Sequence, residues 1–160
     1  MTFNNSKTIV GFRIKLFAAT VILLVYFVLA YVGKLIKFPL LGMSDTFWTL
    51  VMVSCYMIIL FLPVILNYQY IYFSDEGNKI IFRYFTTGII SGRKNSIEID
   101  KKSFSGYKVE KRYLGLIQSI ILFQRLNEGV AKYPPVHISS LTREERNKVF
   151  RSLNSFAPRF

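Results

Sequence analysis

Two long stretches without charge occupy most of the first 70 residues, and they decide what this chain can fold into. Leu16 to Gly33 is an 18-residue run in which Thr20, Tyr26 and Tyr31 are the only polar side chains. As a helix it reaches roughly 27 Å, close to the roughly 30 Å of bilayer hydrocarbon. No Asp, Glu, Lys, Arg or His occurs between Asp45 and Asp75, and the hydrocarbon-depth part of this second run is Phe47 to Leu66. Backbone polar groups in lipid must be paired within their own segment, so both runs are expected to be transmembrane helices. Pro63 removes one hydrogen bond near the end of the second and should kink it locally. A link as short as residues 34–46 makes the pair an antiparallel hairpin.

A cleaved signal peptide would also show basic residues such as Lys7, Arg13 and Lys15 ahead of an apolar run. This run exceeds the usual apolar length of roughly 7–15 residues, and Ala30-Tyr31-Val32-Gly33 is a poor cleavage site, so helix 1 reads as retained. The lone Cys55 falls inside helix 2, where it forms no intramolecular disulfide and reads as a small packing residue. Trp48, Tyr68 and Tyr70 fall where aromatic side chains anchor to the membrane interface. Tyr68, Tyr70 and Tyr72 also alternate as one face of a strand would, and both readings stand.

Charge gives the orientation. The 160 residues carry a formal net charge of +12, although only 19% are charged and 52% are hydrophobic. Residues 1–66 hold 5 Lys and Arg against 1 acidic residue, and residues 67–160 hold 16 against 8. By the positive-inside rule this is a multi-pass protein of the cell (inner) membrane with both termini cytoplasmic. The expected division is a basic N-terminal segment 1–15, helix 1 at 16–33, an external loop 34–46, helix 2 at 47–66 and a cytoplasmic domain 67–160. The domain of roughly 90 residues can bury a modest core. It is too short for a dinucleotide fold of roughly 150 residues or an (αβ)-barrel of roughly 250.

Beyond Tyr68 the apolar period shortens to that of strands. Tyr70–Phe73, the turn Asp75-Glu76-Gly77-Asn78 and Lys79–Phe85 form a hairpin. After a break at Gly88–Asn95, Ile97–Asp100 and Gly106–Lys111 alternate. Ile117–Leu126, the turn Asn127-Glu128-Gly129 and Lys132–Ser139 form a second hairpin, its last strand starting after Pro134 and Pro135 or lying at an edge. Thr142-Arg143-Glu144-Glu145 fits a capping box, followed by Val149, Phe150, Leu153 and Phe156 on one helical stripe. The expected fold class is a membrane α-hairpin plus an all-β or α+β domain. Six or seven short antiparallel strands make a bent sheet or partial barrel, which a C-terminal amphipathic helix covers.

A two-helix hairpin, meandering strands and a terminal helix together resemble the bacterial pleckstrin-homology-like membrane proteins. Ile121-Leu122-Phe123, Asn127-Glu128-Gly129 and above all Tyr133 to Leu141 are similar to the end of that domain. The resemblance implies a pleckstrin-homology fold of about seven strands with a capping helix, and no assigned activity. Eukaryotic members that grip phosphoinositides use a basic first hairpin turn, whereas the first hairpin turn read here is acidic.

An enzyme needs proton-exchanging, nucleophilic or metal-binding groups held together. With one His and one Cys, neither a Cys/His pair nor a multi-His metal site can be assembled, and no phosphate-binding Gly-rich loop occurs. His137 lies between Val136 and Ile138 and is expected on a solvent-facing strand position. Glu98 and Asp100 share a strand face beside Lys101 and Lys102, an ordinary solvated pattern. No catalytic residue, metal ligand or cofactor is therefore expected, and no recognition motif points to nucleic acid. The basic pairs Arg93-Lys94, Lys101-Lys102 and Lys111-Arg112 are candidate contacts to anionic lipid, at roughly 1 kcal/mol per cation near the surface. Expected partners are membrane lipids and a membrane or cytoplasmic protein, a second copy of the chain included.

Overall fold

A computed structural model describes residues 1–87, 92–127 and 129–156. It falls into two compact units: residues 10–63 form one, and residues 1–9 with 64–160 form the other.

The first unit is helical. Helix α1 (Ser6–Phe27) runs into a π-helical turn, Val28–Val32, and α2 covers Asp45–Ile65. The continuous 27 residues of Ser6–Val32 and the 21 of α2 are each long and apolar enough to cross a membrane. Their side chains are mostly exposed, as a lipid-facing surface requires. Hydroxyls link the two helices: Thr20 donates to Tyr56 at 3.2 Å, and Thr49 meets Tyr26 at 2.9 Å. Such polar contacts join helices where no hydrophobic difference drives association. Helix α1 starts ten residues ahead of the uncharged run, so Lys7, Arg13 and Lys15 are helical residues and not part of an extended tail. The helix of Ser6–Val32 is roughly 40 Å long, about 10 Å more than the hydrocarbon core of a bilayer.

The second unit is mixed α+β, with two antiparallel sheets of four strands each and a C-terminal helix. One sheet has the order β1-β2-β3-β4, from Thr2–Asn4, Gln69–Ser74, Lys79–Thr86 and Asn95–Asp100. The other comprises β5 (Phe104–Arg112), β6 (Ile117–Leu126) and β7 (Gly129–Lys132), with β8 (Val136–His137) also paired to β6. Among the described residues the sheets do not close into a barrel. Alternation sets the buried face: Ile80, Phe82 and Tyr84 point inward from β3, and Ile97 and Ile99 from β4. They join Ile71, Phe73, Tyr107, Ile120 and Leu122 in one core. Helix α3 (Arg143–Phe156) adds Val149 and Leu153, both fully buried. Its start is the expected capping box: the Glu145 amide donates to Thr142 Oγ1 at 3.2 Å, and the Thr142 amide to Glu145 Oε2 at 2.8 Å.

Two expectations are corrected and two are sharpened. The N-terminal segment contributes a strand, β1, whose Thr2, Phe3 and Asn4 pair with Ser74, Phe73 and Tyr72. The hairpin across Asp75–Asn78 forms as expected, with Gly77 at a positive φ of 68°, but it is the β2–β3 connection, since the whole helical unit is inserted between β1 and β2. The last strand starts after Pro134 and Pro135, as β8, and the hairpin partner of β6 ends ahead of them as β7, since neither proline has an N–H for the ladder. Finally, His137 is not solvent-facing: it is half-buried, and its Nδ1 is buried without a hydrogen-bond partner among the described residues. The expected break at Gly88–Asn95 and turn at Asn127–Gly129 lie partly outside the described residues, at 88–91 and Glu128.

Candidate functional site

The innermost polar cluster holds the β unit together. Asn5, fully buried, follows β1 and precedes α1. Its Nδ2 donates to the Gln69 carbonyl at 2.9 Å and to Ser140 Oγ at 3.0 Å, and its Oδ1 accepts from the Ile71 amide at 2.8 Å. Gln69 Oε1 in turn accepts the His137 amide at 2.9 Å, which ties the first sheet to β8. Each of these groups is satisfied internally, so the cluster has an architectural role.

A second polar cluster surrounds Asp75. The Met1 amine and Ser152 Oγ both donate to its carboxylate, and Lys101 Nζ donates to its backbone carbonyl at 2.6 Å. Burial alone would raise the Asp75 carboxyl, but those two hydrogen bonds and the nearby positive charges hold it below its ordinary value. Around His137, burial and then repulsion from Arg112 disfavour the imidazolium and lower its pKa.

Two of the surface concavities bring aromatic and cationic side chains together. The first lies on the outer face of the first sheet, where Tyr70 stacks on Phe85 at 4.9 Å and the Arg83 guanidinium sits 5.9 Å from the centre of the Tyr72 ring. With Lys94 these residues line a groove of about 360 Å³. Tyr70 and Tyr72 are thus strand residues with positions fixed by their partners on β3. The second concavity, of about 310 Å³, lies between β5, β6 and α3 and is lined by Lys111, Gln118, Arg143, Arg146 and Phe150 among others. Three cations and no carboxylate line it.

The six cations singled out from sequence do not converge. Arg93 and Lys94 precede β4, Lys101 and Lys102 lie in the β4–β5 turn, and Lys111 and Arg112 end β5. The last two pairs are separated by the length of a nine-residue strand, roughly 30 Å. Lys101 is engaged within the domain, with its Nζ also 4.5 Å from the centre of the Phe156 ring. Arg93, Lys94, Lys102, Lys111 and Arg112 are exposed. Sequence reasoning passed over Arg143 and Arg146, because cations in the first turns of an amphipathic helix read as its solvated face. Of the expected interfacial anchors, Trp48 donates its indole N–H to the Leu40 carbonyl at 3.1 Å, and the Tyr68 carbonyl accepts from the Thr87 amide at 2.9 Å.

Among the described residues no group of three or more His, Cys, Asp and Glu could hold a metal ion. Glu98 faces Lys79 and Arg83, each at 3.9 Å, on the first sheet, whereas His137 lies on β8 of the second. The architecture is thus a hydrophobic helical hairpin joined to a two-sheet α+β domain. No family model, curated protein or solved structure matches the chain.

Proposed function

We propose that this chain is a non-enzymatic integral membrane protein whose pleckstrin-homology-like domain serves as a binding and scaffolding module at the cytoplasmic face of the inner membrane. The observation that carries this reading is the pairing of β1 with β2 across the inserted hairpin. Two strands of one sheet lie on one side of a membrane, so whatever separates them crosses it an even number of times. Residues 1–5 and the domain then share a side, in agreement with the positive-inside bias. The arrangement of β1–β4 in one sheet and β5–β7 in a second, followed by a helix packed on the core, supports the pleckstrin-homology-like assignment.

The groove beside Tyr70, Tyr72, Arg83 and Lys94 offers aromatic faces and two cations, a surface suited to an acidic segment of a partner protein. A photo-crosslinking amino acid at Tyr72 in the full-length membrane protein should yield a discrete protein adduct, and Arg83→Glu should abolish it. Adducts to lipid alone would refute a protein-binding groove. A reporter fused after Phe160 that is active only outside the cytoplasm would refute the orientation. A second reading, in which the domain senses anionic lipid directly, is favoured by the cluster of Lys111, Arg143 and Arg146.

A further inference from the structure

The connection between β5 and β6 joins exposed apolar side chains to left-handed backbone. Tyr113, Leu114 and Leu116 are 74%, 107% and 65% exposed, so three large apolar side chains within four residues of this turn project free of the fold. Tyr113 and Leu114 adopt positive φ values of 49° and 55°, followed by Gly115 at 89°. Left-handed backbone at a tyrosine and a leucine is uncommon and needs support from its surroundings. Gln118 supplies it, with Nε2 donating to the Gly115 carbonyl at 3.1 Å while Oε1 accepts from Arg146 at 2.7 Å. The same glutamine therefore joins the apolar tip to the cationic cleft of Lys111, Arg143 and Arg146.

The tip also lies at a defined end of the β unit. Gln118 exchanges hydrogen bonds with the segment 138–139, its amide to Ser139 Oγ at 3.1 Å and its carbonyl from the Ile138 amide at 2.8 Å. Ser140 next in line contacts Asn5, and His137 contacts Gln69. Asn5 and Gln69 are the points where the chain departs for α1 and returns from α2. The exposed tip thus belongs to the end of the domain that carries both hydrophobic connections.

We infer that the Tyr113–Leu116 tip is a membrane wedge, which inserts its apolar side chains at the bilayer interface while Lys111, Arg143 and Arg146 take the phosphates of anionic lipid. The inference rests on the membrane-anchored reading above, deepens its lipid-sensing form, and adds to it the apolar tip. An apolar point beside a cationic cleft matches the bilayer, whose hydrocarbon lies directly beneath a negative surface. A soluble partner would gain from the same leucines only through a matching pocket.

The test uses the full-length chain with Cys55→Ala, carrying an environment-sensitive fluorophore on a single cysteine at Leu114→Cys or, as control, Val130→Cys. Val130 is 57% exposed in the β7 strand. In discs that hold one chain each, with phosphatidylglycerol or with phosphatidylcholine alone, acyl-chain quenchers should reach the label at 114 and not at 130. The anionic discs should give the stronger quenching. Combining Lys111→Glu, Arg143→Glu and Arg146→Glu should lower the inserted-to-free ratio by about 100-fold, at about fivefold per cation. Leu116→Asp should lower it by tenfold or more. Amide exchange in β6 verifies that each variant is folded. A label at 114 that stays in water in both lipids, equal quenching in both, or shielding seen only when discs hold two chains would overturn the inference; the last would assign the tip to a second copy. Alkaline extraction distinguishes the two readings, since loss of the whole chain from the membrane would refute the anchor and not the tip.

Discussion

Replacing Asn5 by alanine should unlatch the first sheet, and its cost can be worked from the hydrogen bonds. The side chain is fully buried and makes three of them, to the Gln69 carbonyl, to Ser140 and from the Ile71 amide. Alanine leaves the Ile71 amide without that acceptor, a loss of about 1–3 kcal/mol for a buried donor. The two donated bonds add about 1 kcal/mol between them, because Ser140 continues to donate to the Gln69 carbonyl. The sum, about 2–4 kcal/mol, is a large share of the roughly 5–15 kcal/mol that stabilises an ordinary domain. In detergent-solubilised full-length protein, globally exchanging amides of β2 and β3 should exchange roughly 30- to 900-fold faster. Lys7→Ala, exposed two residues further on, should remain within about 0.5 kcal/mol of the parent. Asn5→Ala within that same margin would refute the reasoning, since no buried polar cluster could then depend on it.

Three further outcomes are expected. The folded-state pKa of His137 is lowered, so the unfolded chain binds its proton first and stability should fall as pH drops below about 6.5 until the folded pKa is reached. His137→Gln should flatten that segment of a urea-midpoint profile, and an unchanged slope would exclude His137 as its source. Asp75 acts in a lower window: its depressed pKa contributes stability that is present above about 3.9 and lost as pH falls through the folded value. Asp75→Asn should lower the urea midpoint at neutral pH and remove the acid dependence in that window. Thr142→Ala removes the cap of α3 and should cost about 1 kcal/mol, or about 4–8 °C in the melting temperature of a domain of this size, read by circular dichroism.

What could be read from sequence was whatever left a local signature. The membrane runs, the β2–β3 hairpin and the Thr142 box each rest on residues within a few positions of one another. Strand β1 does not: three residues pair with a partner about 70 positions away, and nothing in Thr2-Phe3-Asn4 marks a strand. Position 137 alternates as expected, yet the face opposite the core is not solvent there, because Gln69 reaches the His137 backbone from the other sheet. The tip at Tyr113–Leu116 reads as the start of the apolar run of β6, and only Gly115 hints at a turn. Arg143 and Arg146 join Lys111 through packing of α3 on β5, a tertiary fact without a sequence period. The aromatic groove likewise depends on the register that sets Tyr72 opposite Arg83.

The placement of β1 also orders the protein's assembly in time. Thr2 leaves the ribosome before any other part of the sheet, and its partner Ser74 follows only after both hydrophobic helices have been made. Contacts of such long sequence separation form late. On the proposed topology, the sheet can close only when the intervening segment has been threaded into the bilayer and returned its end to the starting side. A chain stalled with one helix inserted would leave the flank of β2 uncovered and Asn5 unpaired, a state open to strand-edge aggregation and proteolysis. On that topology, completion of the sheet would act as a checkpoint on biogenesis, in which a folded domain certifies a correctly threaded anchor.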